Sequence, residues 1–402
     1  MKRWALSAGL LIAAPFAAAG EAPGPLEDRL RTLESRVNTL ERENADLRIR
    51  LGAGGTAPAA GVVAPAGTET RLALGGFTQA QAEFGDAGDA RFAGTADRIF
   101  IRRARLYLLA GFAGNFEAKI EGEFGAGSFV AATGLRAQAN EIYLGWNRYR
   151  EASVRIGQLK PAYCTELLAV EYKNLLVERS LGAERIGDSR QVGVSVYGEL
   201  PALHAGYAVV VANGTGYNSS TNDNSKFQPT ARVYVTPLES QTAGSLTLGA
   251  DALHATDAGV NKPGFNFDAV PGGATDNLFT GGRDAWGVDA AWHCGLLDVS
   301  TELLRMRFRP ADRLPDRAFT AEGWQMTAAY FLLPHQLQAV VRREHFDPNI
   351  SRRGDSTDNW LIGFGLYFKG DDIRLMTDYL FGRAAGLPED HGRWLTRLQI
   401  IY

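Results

Sequence analysis

Cysteine is scarce: Cys164 and Cys294 are the only two in 402 residues. A disulfide scaffold is therefore excluded. Neither cysteine has a second one, or a histidine pair, at metal-ligand spacing; His293 beside Cys294 stands alone. The 6 histidines (His204, His254, His293, His335, His345 and His391) are scattered, and no Gly-x-Ser-x-Gly motif occurs. Nothing assembles a Ser-His-Asp set, so no enzyme, catalytic residue, metal or cofactor is expected. Positive charge is also lacking, since 42 Lys and Arg stand against 45 Asp and Glu for a net charge of −3. That balance argues against a nucleic-acid partner. Beyond the N-terminal leader no apolar run reaches the length of a membrane helix. No fixed-period repeat suggests a propeller or solenoid.

The chain opens "MKRWALSAGLLIAAPFAAAG". A basic pair, an apolar stretch and a small-residue site read as a signal peptide over 1–19, so export is expected. Residues 20–51 read as a periplasmic coiled coil. Leu30, Val37, Asn44 and Leu51 fall at heptad position a, and Leu26, Leu33, Leu40 and Leu47 at d. Val37 and Asn44 at a with leucine at d favour two strands. "RLRTLE" and "RVNTLE", one heptad apart, resemble a trimerisation pattern and tip the balance to a trimer. The Gly/Ala/Pro-rich residues 52–69 read as a linker.

From residue 70 to 402 the hydrophobic period becomes two. Sixteen strands are expected, near 70–84, 99–112, 115–125, 137–148, 152–159, 190–200, 203–212, 228–237, 244–254, 284–294, 297–308, 320–332, 335–346, 358–369, 372–382 and 392–402. Short connections alternate with long ones, the longest near 160–189 and 255–283. The 46 glycines and 20 Phe, 13 Tyr and 7 Trp suit many strands with rings at an interface. The expected fold is an all-β, 16-stranded antiparallel transmembrane β-barrel preceded by a short coiled-coil helix. In "NFEAKIEGEF", Phe116, Ala118, Ile120 and Phe124 oppose Glu117, Lys119, Glu121 and Glu123. One face would meet lipid and the other a wet lumen. The soluble alternative, a sandwich with the apolar face as core, predicts fewer aromatics at strand ends.

"RIFIRRARLYLLAGF" (98–112) concentrates charge in a strand. Arg103 and Arg105 share the lumen face with Tyr107. Arg102 has lipid phase, and either snorkels or is turned inward by a bulge. Arg155, Lys160, Arg232, Arg374 and Arg397 are further lumen cations by phase. Glu117, Glu121, Glu123, Glu141, Asp251, Asp289 and Asp378 are lumen anions. Cross-strand pairing with the three glutamates of the next strand would neutralise Arg103 and Arg105, so an anion ladder and a self-paired wall stay open as alternatives. The apolar loop 160–189 is expected to fold into the barrel and constrict it, with Lys173, Arg179 and Arg185 near the narrowing.

The stretches "FIRRARLYLLAGFAGNFEAKIEGEFG", "NEIYLGWNRY", "VRIGQLKPAY", "LLVERSL" and "RIGDSRQVGVSVYG" resemble the phosphate-selective porin O and P family, in order from about Leu72 to Tyr402. The resemblance implies a 16-stranded, homotrimeric porin in a Gram-negative outer membrane, passing phosphate or other small anions along lumen cations. Arg102, Arg103 and Lys160 match the family's basic positions. The expectation is a passive channel without cofactor, in contact with the lipid bilayer, its coiled coil in the periplasm and contacting the cell wall. The rival is a non-conducting outer-membrane tether that works through the coiled coil.

Overall fold

The computed structural model describes residues 60–63, 70–125, 137–265, 267, 278–311, 318–387 and 392–402. The leader and the heptad positions Leu30, Leu33, Val37, Leu40, Asn44 and Leu47 lie outside the described residues. The strands are β1 (Ala60–Val63), β2 (Arg71–Gly85), β3 (Arg98–Phe112), β4 (Phe116–Glu123), β5 (Gln138–Tyr149), β6 (Ala152–Leu159), β7 (Gln191–Leu200) and β8 (Ala205–Ala212). They continue as β9 (Gln228–Ser240), β10 (Gly244–Asn261), β11 (Leu278–Cys294), β12 (Leu297–Pro310), β13 (Phe319–Leu333), β14 (Leu337–Asp347), β15 (Thr357–Lys369), β16 (Ile373–Ala384) and β17 (Gly392–Ile401). Strands β2 to β17 form a closed antiparallel 16-stranded ring: each pairs with its sequence neighbour, and β17 returns to β2. Closure leaves no unpaired edge in lipid.

The seam is tight. Tyr402 exchanges both backbone hydrogen bonds with Gly76, at 2.8 and 3.0 Å. A Cβ on Gly76 would lie 2.1 Å from the Arg105 carbonyl oxygen, so no larger residue fits there. Within the stretch read as linker, Ala60–Val63 pairs with Leu72–Leu74 of β2, just past the end of β17.

Alternation sets the faces. On β3 and β4, Leu106, Leu108, Phe116 and Ile120 are exposed outward, while Arg103, Arg105, Tyr107, Lys119, Glu121 and Glu123 are buried on the lumen side. β3 contains the bulge: Gln79 pairs with Arg103 and Ala80 with Ile101, which leaves Arg102 as the extra residue. The register shift turns Arg102 inward, where it is 2% exposed. Two adjacent arginines thereby face the lumen from one strand.

Short turns lie at one end and long loops at the other. The expected long loop at 255–283 is shorter than anticipated, because β10 runs on to Asn261 and β11 begins at Leu278. Residues 160–190 fold into the lumen. Leu176 and Val177 pack against Val340, Leu361, Met376 and Leu395 of the wall. Leu181, Ala183 and Ile186, in the short helix Leu181–Ile186, pack against Leu304, Met306, Phe308 and Phe346. Burial of these apolar side chains against the wall favours the inward position of the loop. Cys164 and Cys294 are both free thiols.

Leu106 stands mid-strand on the lipid face. Leu106→Arg is expected to cost about 2–4 kcal/mol, whereas Leu106→Ile should be nearly neutral. Urea unfolding in detergent or lipid checks both.

Candidate functional site

The inward loop is held by charge as well as by packing. Glu178, fully buried, accepts from Arg102 of β3 at 2.8 Å and from Arg397 of β17 at 2.6 Å, with Arg103 at 4.0 Å. Gln81 of β2 donates to the same carboxylate at 3.0 Å. Burial alone would raise the Glu178 carboxyl, but Arg102, Arg397 and Arg103 overcome it and hold it well below the usual range. Seven residues earlier Glu171 takes Arg105 at 2.5 Å and Arg179 at 3.0 Å. Wall carboxylates in turn capture loop amides: Asp378 accepts from the Val177 N–H at 2.6 Å, and Glu302 from the Thr165 N–H at 2.5 Å.

Beside this clamp a cavity of ≈ 330 Å³ opens between the loop and β3–β5. Arg102, Arg103, Arg105, Lys160, Arg179, Arg185, Arg190 and Lys262 line it against Glu123, Glu171, Glu184 and Asp188. Cations therefore outnumber carboxylates two to one around the space. Several are committed. Arg105 meets Glu123 at 2.7 Å, Arg190 meets Glu141 at 3.2 Å, and Lys262 meets Asp188 at 2.8 Å. Others are not. Arg103 donates to Gln79 at 3.0 Å and is only grazed by Glu178. Lys160 donates to the carbonyls of Leu168 and Ala169, at 3.2 and 3.0 Å. Among the described residues neither Lys160 nor Arg185 has a carboxylate within ion-pair distance. Burial pushes the Lys160 ammonium down to about 7, with Glu171 opposing and Arg190 adding to the shift.

Of the sequence candidates, Arg102, Arg103, Arg105, Lys160 and Arg185 meet at this cavity. Arg155, Arg232 and Arg374 do not line it. Arg155 is paired with Glu117 at 2.9 Å and lies over the rings of Tyr143 and Tyr197. Arg232 is taken by Asp289 at 2.6 Å and Asp251 at 3.1 Å. Arg374 donates to the Asn174 carbonyl and to the Tyr367 hydroxyl. The acidic candidates are spent on cations: Glu121 on Lys119 at 2.6 Å and Glu123 on Arg105. Lys173, expected near a narrowing, pairs instead with Asp371. Arg190 and Lys262 were not anticipated. Arg190 carries the phase of outward Val192, and Lys262 fell inside a stretch read as loop.

A closed antiparallel barrel with an apolar outer band, a charged interior and an inward loop defines an outer-membrane channel of the porin class. Residues 75–385 match the family model of phosphate-selective porin O and P, and the chain belongs to that family. Solved structures share the fold. The outer membrane channel DcaP of Acinetobacter baumannii is 16% identical, with a TM-score of 0.57, over 85% of this chain and 100% of its own. The anion-selective porin from Comamonas acidovorans is 12% identical, TM-score 0.56, over 83% and 100%. Salmonella typhi OmpF, in complex with daunomycin, is 11% identical, TM-score 0.58, over 85% and 100%. A comparison with curated protein sequences finds no match.

Removing the Glu178 carboxylate leaves three guanidiniums crowded without their counter-ion. Glu178→Ala is expected to lose about 3–5 kcal/mol and to expose the loop to protease in the otherwise folded barrel. Unfolding curves and limited proteolysis read the two effects separately.

Proposed function

We propose that this chain forms a passive, water-filled diffusion channel that prefers small anions, inorganic phosphate among them. The observation that carries the reading is the convergence of Lys160 and Arg185, with no carboxylate within ion-pair distance among the described residues, on one cavity beside Arg103, whose nearest carboxylate contact is 4.0 Å long. A permeating anion there meets cations whose hydrogen bonds go to neutral oxygens, an amide for Arg103 and backbone carbonyls for Lys160. A cation meets Glu123, Glu171 and Asp188 only after these have been occupied by Arg105, Arg179 and Lys262. The inward loop acts as the constriction, because it brings the lining cations within reach of any ion that passes. The Comamonas relative of the same fold is described as anion-selective, which agrees in direction. The heptads at 20–51 would hold three copies together and lie in the periplasm, within reach of the cell wall.

Reversal potential in a KCl gradient across a planar bilayer tests the reading, and an anion-directed value is expected. One unit charge about 7 Å from a permeating ion is worth about 0.6 kcal/mol in high dielectric. Lys160→Gln or Arg185→Gln should therefore lower anion entry roughly threefold and raise cation entry as much. Added phosphate should reduce chloride current in the unaltered channel and less in either variant. A cation-directed reversal would overturn the anion preference. A folded barrel that passes no current would favour the tether.

The Lys160 ammonium supplies a pH test. Its charge is present below about pH 7 and lost above it. Anion preference should fall as pH rises from 6 to 8, and Lys160→Gln should remove that step while Arg185→Gln keeps it.

A further inference from the structure

The outer wall carries a second basic surface, unrelated to the lumen. On β12 the inward residues Leu304, Met306 and Phe308 are buried. The residues between them, Arg305, Arg307 and Arg309, therefore point outward. They lie toward the long-loop end of the strand, since the short turn Gly295–Leu296 closes the other. Asp284 of β11 is directly opposite Arg307, and Glu322 of β13 opposite Arg305. Farther round, Asp358 of β15 receives Arg343 at 2.9 Å and Arg383 at 3.3 Å.

This belt sits on rings. The Arg305 guanidinium lies 5.8 Å from the centre of Trp286, and that of Arg343 lies 5.3 Å from Trp360. His345 stacks on Trp324 at 5.8 Å. Trp286 and Trp360 face outward, exposed. Trp360 and Phe368, eight residues apart on one face, mark the two ends of an apolar band; eight residues span about 27 Å of strand and about 20 Å along a tilted barrel axis. Outward tryptophans at this level mark the membrane–water interface. The cations stacked on them stand where lipid headgroups begin.

The charge is not balanced. Arg305, Arg307, Arg309, Arg343 and Arg383 face Asp284, Glu322, Asp347 and Asp358, five cations against four carboxylates. Among the described residues Arg305 and Arg309 each pair with one carboxylate, and they stay 43% and 47% exposed. Arg307 has no carboxylate partner among the described residues. On β7 and β8, by contrast, the outward residues are Val194, Val196, Val209 and Val211, and that part of the wall is apolar.

We propose that the arc from β11 to β16 binds the phosphate-bearing headgroups of anionic lipid in the surrounding outer leaflet, with Arg305, Arg307 and Arg309 as principal contacts. Guanidinium forks match phosphate oxygens, and the tryptophans beneath hold the acyl boundary at the right height. The proposal rests on the outer-membrane location and is independent of the channel's ion preference.

The test uses the full chain refolded in neutral detergent, with diphosphorylated lipid A as the probe and phosphatidylcholine as the uncharged control. Lipid phosphorus co-eluting with the barrel on gel filtration is titrated. With each arginine contributing its usual attraction to anionic lipid, Arg307→Gln should weaken lipid A binding about fivefold, and the triple Arg305→Gln/Arg307→Gln/Arg309→Gln about 100-fold. Arg150→Gln, a charge removed at the short-turn end, should leave it unchanged. Single-channel conductance of the triple variant should match that of the unaltered chain, which certifies the fold. Lipid A retained no better than phosphatidylcholine, or retained equally by the conducting triple variant, would overturn the proposal.

Discussion

The interior depends on one buried charge balance, Glu178 against Arg102, Arg397 and Arg103. Taking any one of these ions out of water alone costs several kcal/mol. Together they are tolerable, and they are together only when the loop is inside and the seam between β17 and β2 is closed. Arg397 comes from the last strand, Arg102 and Arg103 from the second strand of the ring, and Glu178 from the loop after β6. The same carboxylate thus couples loop placement to ring closure. Apolar packing of Leu176 and Val177 supplies the adhesion, and the ion cluster supplies the position.

That division explains why the arginines of one strand have different fates. Arg102 is spent on the loop. Arg105 is spent on Glu123 and Glu171. Arg103, between them, is left with an amide and a distant carboxylate. A weakly compensated cation arises here because two neighbours have taken the closer contacts with the available anions. The bulge is the cause at the backbone level: without the extra residue, Arg102 would point into lipid and Glu178 would lose one of its two closest partners.

The sequence made the strands legible because lipid demands one apolar face and closure demands an even, alternating layout. All of the strands read from residue 70 onward are present, within a few residues except where β10 and β11 extend into their loop. The lumen was legible as a face but not as a site. Phase places Arg155, Arg232 and Arg374 inside as surely as Arg103, yet it cannot say that Glu117, Asp289 and the Asn174 carbonyl will meet them. Those encounters join residues far apart in sequence, and period-two reasoning carries no information about them. Arg190 and Lys262 escaped because strand phase fails at strand ends, where the chain leaves the sheet.

Inside and outside the barrel the chain handles arginine by opposite means. In the lumen the loop buries much of the charged wall, so nearly every guanidinium is matched with a carboxylate or carbonyl. On the outer wall, exposed pairs contribute little to stability, so an excess of arginine there is not explained by folding. The three cations of β12 are spaced two residues apart on one face, and Arg305 and Arg343 rest on tryptophan rings. Stability would be served as well by threonine or glutamine at those positions. A surface that retains positive charge at the height of the headgroups is suited to the phosphates of the leaflet around it, which would fix the arc from β11 to β16 against lipid.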